Sequence, residues 1–133
     1  MADPTFTFEV DQYGTFSFVP KDDWAYRHTD KVTIQTRTGP FRLRVVPKGA
    51  AILYRDPLGS PITVREPDDE GMWKVTAAVN DGLTDGERRA LRIANAQAGQ
   101  ELGFIAQYFY DIEVTRQDGR VFRSQEHNGE HGC

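Results

Sequence analysis

Apolar and polar residues alternate with a period of two over much of this 133-residue chain, and glycine or proline interrupts the alternation at short intervals. In TFTFEV, Phe6, Phe8 and Val10 alternate with Thr5, Thr7 and Glu9, the pattern of a strand with one buried face. DQYG then reads as a hairpin turn into TFSFV, which places Phe16 and Phe18 on one face, and Pro20 ends the pattern. The polar segment KDDWAYRHTD follows as a connection, whose Trp24 and Tyr26 either plug the core or face a partner. Alternation returns in KVTIQT, with Val32 and Ile34 inward, and in FRLRVV, with Phe41, Leu43 and Val45 inward and Arg42 and Arg44 outward.

Pro47, Gly49, Pro57, Gly59 and Pro61 break residues 47–61 around a short apolar run, AILY, which favours short strands over a helix. ITV at 62–64 adds a strand before the acidic turn EPDDEG, and MWKVTAAV places Trp73, Val75, Ala77 and Val79 on one face. Thr84 and Glu87 have capping-box spacing, and the alanines that follow predict a short helix between Gly86 and Gly99. The rival is a strand over RALRIAN; both readings bury Ile93. In LGFIAQYFYDIEV, Phe104, Ala106, Tyr108, Tyr110, Ile112 and Val114 share one parity and make the central strand, with Asp111 and Glu113 opposite. TRQDG turns the chain into RVFRS, and HNGEHGC has no strand pattern.

Seven or eight short strands between Gly and Pro turns predict a mainly β chain: a compact β-sandwich, immunoglobulin-like or cupredoxin-like, with one short helix. A small barrel is the alternative. Residues 1–124 form the single sandwich domain in this reading, and 125–133 a flexible C-terminal tail. The composition agrees, with 38% hydrophobic residues and eight Phe, five Tyr and two Trp in a length suited to one domain.

Sixteen Lys and Arg against twenty Asp and Glu give a net charge of -4, the wrong sign for general attraction to nucleic acid or anionic lipid. Arg37, Arg42 and Arg44, and Arg88, Arg89 and Arg92, form two local basic groups that read as solvated faces. Cys133 has no second cysteine to pair with, which points to the cytoplasm. No apolar run approaches the roughly 18 residues of a membrane span, so membrane insertion is not expected.

Three constellations could carry chemistry. His127, His131 and Cys133 crowd the tail, and imidazole with thiolate is a ligand set for zinc or copper; no other cofactor is expected. The H-x3-H spacing brings the histidines together only on a helix, which Asn128 and Gly129 disfavour. Asp22 and Asp23, Asp68 to Glu70, and Asp111 with Glu113 are acidic groups that could serve a small carbohydrate-active or other hydrolase. Trp24, Tyr26, Arg27 and Phe109 could make a partner-binding surface for a protein or a glycan. No phosphate-binding loop, dinucleotide fingerprint or nucleophilic-serine context is present. The expected function is thus a noncatalytic protein-recognition or assembly module, binding a protein partner or a second copy of itself. A metal-binding tail and an acidic hydrolase are the alternatives.

Overall fold

The computed structural model describes residues 3–47, 56–97 and 104–132. Its strands are β1 (Thr5–Val10), β2 (Phe16–Val19), β3 (Trp24–Arg27), β4 (Lys31–Thr36), β5 (Phe41–Pro47), β6 (Ile62–Val64), β7 (Trp73–Ala78), β8 (Phe104–Thr115) and β9 (Val121–Gly132). One helix, α1 (Asp85–Gln97), connects β7 to β8. A four-stranded sheet runs in the order β2-β1-β4-β7, and a five-stranded sheet in the order β3-β9-β8-β5-β6. Both are mixed, because β1 runs parallel to β4 and β3 runs parallel to β9, while every other pairing is antiparallel. The architecture is sandwich-like with one short helix, as the alternation predicts. The apolar run AILY at 51–54 lies outside the described residues.

The inward faces follow the period-two pattern. Phe6, Phe8, Val10, Val32 and Ile34 from the first sheet meet Phe41, Leu43, Val45, Tyr108, Tyr110, Ile112 and Val114 from the second in one buried core. Burying such side chains is the main force that holds two sheets face to face. Turn chemistry sets where strands end. Asp11 N–H donates to Thr15 O and Gly14 N–H to Asp11 O, and the Asp11 carboxylate accepts from the Tyr13 and Thr15 amides. Residues 116–120 repeat this backbone pattern, with Arg116 N–H to Arg120 O and Gly119 N–H to Arg116 O. Gly14 and Gly119 both stand at positive φ, 86° and 88°, where a side chain would be strained. The two turns are tied together at one end of the sandwich, because Arg116 donates to Val10 O and Arg120 to Gln12 O.

The helix starts as its cap predicts. Thr84 N–H donates to Glu87 Oε1 at 3.0 Å and Glu87 N–H to Thr84 Oγ1 at 3.1 Å, which satisfies two amides that have no partner inside the helix. Arg88, read as part of a solvated basic face, instead donates to the buried Asp81 and to Leu83 O, anchoring the first turn. The expectation that Ile93 is buried is wrong. It is 52% exposed, and Leu91, two residues earlier, is the buried one. A helix rotates about 100° per residue, so positions two apart face different directions, whereas on a strand they would share a face.

Two further segments depart from the sequence reading. Residues 24–27, read as a connection, are the edge strand β3. Residues 125–132, read as a flexible tail, are the second half of β9, which pairs with β8 from His127 onward and with β3 over residues 129–132.

Candidate partner-binding cleft

Trp24 and Tyr26 are not surface residues. Alternation along β3 turns both inward, to 0% and 3% exposure, and leaves Ala25 and Arg27 exposed. Trp24 stacks on Phe6 with ring centroids 5.0 Å apart and donates from Nε1 to Pro20 O at 3.1 Å. Tyr26 packs beside Tyr108. Phe109 is half-buried on the opposite face of the second sheet, among the residues whose parity differs from that of Tyr108 and Tyr110. The structure therefore does not bring Trp24, Tyr26, Arg27 and Phe109 together: the first two belong to the core, where they close the end of the sandwich.

His127 belongs to the same aromatic cluster. It is 7% exposed, lies face to face with Phe18 at 4.0 Å, and meets Trp24 edge-on at 4.6 Å. Its Nε2 is buried without a hydrogen-bond partner. Burial pushes its pKa below the usual histidine value, against a weaker upward pull from the Asp23 carboxylate. His131 follows four residues later on the same strand, so the two positions are about 13 Å apart along it. Cys133 lies outside the described residues. Among the described residues no group of three or more His, Cys, Asp or Glu side chains could hold a metal ion.

On the outer face of the second sheet, Asp111 is covered by two arginines from the strands on either side. Arg123 on β9 donates through Nε to Oδ1 at 2.9 Å and through Nη2 to Oδ2 at 2.8 Å; Arg44 on β5 donates through Nη2 to Oδ2 at 2.9 Å. The hydrogen bonds from Arg123, then those from Arg44, outweigh the cost of burial and hold the Asp111 pKa at about 2. With Arg42 and Glu113 these residues line an open depression of about 250 Å³. A carboxyl that donates a proton needs its pKa raised. Asp111 is displaced in the opposite direction. Asp68 offers no better acid, because hydrogen bonds from Met72 and Glu70 amides lower its pKa as well.

A larger cleft, about 560 Å³, opens between β2 and β9. Gly14, Thr15, Phe16 and Phe18 line one side, and Arg123, Ser124 and Gln125 the other. Phe16 and Phe18 are half-buried and stack on each other with centroids 5.9 Å apart. The tied turns at 11–15 and 116–120 stand at one end, and the contact of Phe18 with His127 stands at the other. The cleft exists because both of its walls are sheet margins. β2 is the outermost strand of its sheet, and β3 pairs only with residues 129–132 of β9. Residues 121–128 of β9 therefore have a strand neighbour on one side alone among the described residues. The sequence points to Phe16 and Phe18 as inward residues, but no local signal marks them as the wall of an opening.

Comparisons of the chain with models of protein families, with curated proteins and with solved structures find no match. Among the described residues no helix is long and apolar enough to cross a membrane.

Proposed function

We propose that this chain is a noncatalytic protein-recognition or assembly module of the cytoplasm, and that it takes an extended polypeptide segment in the cleft between β2 and β9. The observation that carries the reading is the cleft beside the outermost strand β2, with its apolar wall of Phe16 and Phe18. An edge strand presents main-chain N–H and C=O groups to a further strand, and a neighbouring apolar groove supplies the side-chain contacts that make such addition selective. Immunoglobulin-like and cupredoxin-like strand orders serve this reading equally, because the function rests on the site and not on the fold.

The test is selection from a random peptide display library against the folded chain, followed by mapping of enriched peptides through backbone amide chemical shifts. The expected result is enrichment of extended peptides that shift amides of residues 15–19 and 121–128. Peptides that instead shift the opposite margins, β6 and β7, or the absence of any enriched peptide, would overturn it. A second copy of the chain on the same flank would appear as concentration-dependent shifts of those amides without peptide.

A further inference from the structure

We propose that the extended segment taken beside β2 is β2 of a second copy of this chain, paired antiparallel across a two-fold axis at Ser17. The inference rests on the recognition reading above and names its partner. The hydrogen bonds of the neighbouring strand fix which way β2 points. Val10 N–H donates to Thr38 Oγ1 and Thr33 N–H donates to Pro4 O, so even positions along β1 face β4. Asp11 N–H donates to Thr15 O, so odd positions face β2. Main-chain groups alternate sides in this way along a strand. Thr7 is in register with Val19 and Glu9 with Ser17, and these odd pairs carry the hydrogen bonds between β1 and β2. The N–H and C=O of Phe16 and Phe18 therefore point away from β1, along the outer edge of the sheet.

This edge is self-complementary in one register. Its outward groups end at Gly14, whose N–H already donates to Asp11 O, and at Pro20, which has no N–H. Pairing Phe16 with the partner's Phe16 would call on Gly14, and pairing Phe18 with the partner's Phe18 would call on Pro20. Pairing Phe16 with the partner's Phe18 calls on neither, and each outward N–H meets a C=O. A two-fold axis makes every such contact twice. Ser17 then faces the partner's Ser17, and Thr15 faces the partner's Val19. No charged side chain lies between Gly14 and Pro20, so two copies meet there without like-charge repulsion. The edge strands β3 and β7 instead carry Arg27 and Lys74, charges of the kind that discourage edge pairing. Val19 is 63% exposed, and Tyr13 in the adjoining turn is 80% exposed. The pairing covers Val19 with the partner's Thr15 and brings Tyr13 towards the partner's Val19. On the inner face, the stacked rings of Phe16 and Phe18 continue into the partner's pair. A contact of so few residues buries less than the roughly 1,200 Å² of a stable interface, so the dimer is weak and forms as concentration rises.

The test is sedimentation velocity of the full chain from about 10 μM to 1 mM, with amide shifts to locate the contact. Ser17→Lys sets like charges across the axis, on backbones about 4.5 Å apart. Within one copy the new lysine lies beside Glu9 on β1, so the fold keeps its pairing, and Ser17→Thr is the uncharged control. We expect wild type and Ser17→Thr to pass from monomer towards dimer over this range with shifts in the amides of 15–19. Ser17→Lys should associate at least about tenfold more weakly. In a second arm, Ser17→Cys in a Cys133→Ser background is oxidised with glutathione disulfide. Directly opposed positions lie within disulfide reach, so it should link to itself at least about tenfold faster than Thr76→Cys, an exposed position on β7 of the same sheet. A chain that stays monomeric at 1 mM, a dimer indifferent to Ser17→Lys, or equal linking at positions 17 and 76 would overturn the inference. If library peptides still shift the amides of 15–19 in that event, recognition stands with a foreign segment as its ligand; if no peptide does, the recognition reading fails with it.

Discussion

His127 lies face to face with Phe18, with ring centroids 4.0 Å apart and planes inclined by 13°. Phe18 belongs to the margin of one sheet and His127 to the other, so this pair fastens the two sheets at one end of the cleft. An imidazole in this position is stable there as the neutral ring, because its buried Nε2 has no acceptor for a proton.

The pair makes stability sensitive to mild acid. Burial lowers the His127 pKa in the folded chain below the ordinary value of 6.5. The unfolded chain therefore takes up a proton at a higher pH than the folded chain does. Stability is unaffected by this residue above about pH 6.5 and is lost as pH falls below it, until the folded-state pKa is reached. The thermal midpoint should drop between pH 7 and pH 5, and His127→Phe should flatten that drop. An unchanged pH dependence in the variant would count against the assignment.

Gly129 faces the rings of Tyr108 and Tyr110. A Cβ at this position would stand 2.3 Å from Tyr108 Cε2 and 2.6 Å from Tyr110 Cε2, and both tyrosines are wholly buried, with Tyr110 donating to Trp24 O at 3.2 Å. Neither ring has space to withdraw. Gly129→Ala should therefore destabilise the fold by about 1–3 kcal/mol, as overpacking does, measured as a lower urea midpoint. Gly86→Ala is the contrasting case. Its Cβ would meet nothing nearer than Thr84 Oγ1 at 3.9 Å, so the midpoint should hold or rise by up to about 1 kcal/mol of stability.

Asp111→Asn should weaken the second sheet at neutral pH. The change removes the charge that both Arg44 and Arg123 bind, but those arginines are about half exposed and can turn to water. The expected loss is thus about 1–2 kcal/mol. Because the folded-state pKa of Asp111 is held at about 2 against an ordinary 3.8, the contribution is present above pH 3.8 and disappears as pH falls through about 2. Wild type and variant should differ in urea midpoint at pH 7 and converge near pH 2. A difference that persists at pH 2 would show that packing, and not charge, is responsible.

Thr84→Ala tests the helix start. Loss of the hydroxyl that caps Glu87 N–H should cost about 1 kcal/mol, seen as a lower thermal midpoint, with Thr84→Ser retaining most of the stability. Equal losses in both variants would place the effect in the threonine methyl group.

Much of the fold is legible locally. Phe6, Phe8 and Val10, then Val32 and Ile34, then Phe41, Leu43 and Val45 are buried as their alternation predicts, because in each strand one face carries most of the large apolar side chains. The second half of β9 is not legible, since its inward positions include His127 and Gly129. Neither residue type carries an apolar signal. Their burial is imposed by Phe18, Trp24, Tyr108 and Tyr110, which arrive from three other strands.

The sequence by itself determined the class of fold, the inward face of most strands, the turns at Asp11 and Arg116 and the start of the helix, because each depends on residues within a few positions of one another. Only the tertiary structure decided that Trp24 and Tyr26 close the core, that Asp111 is shared by Arg44 and Arg123, and that β3 stops short and leaves a cleft against β2. Those outcomes depend on which strands become neighbours. Period-two alternation reports which face of a strand is buried, and it is silent about what lies beside that strand.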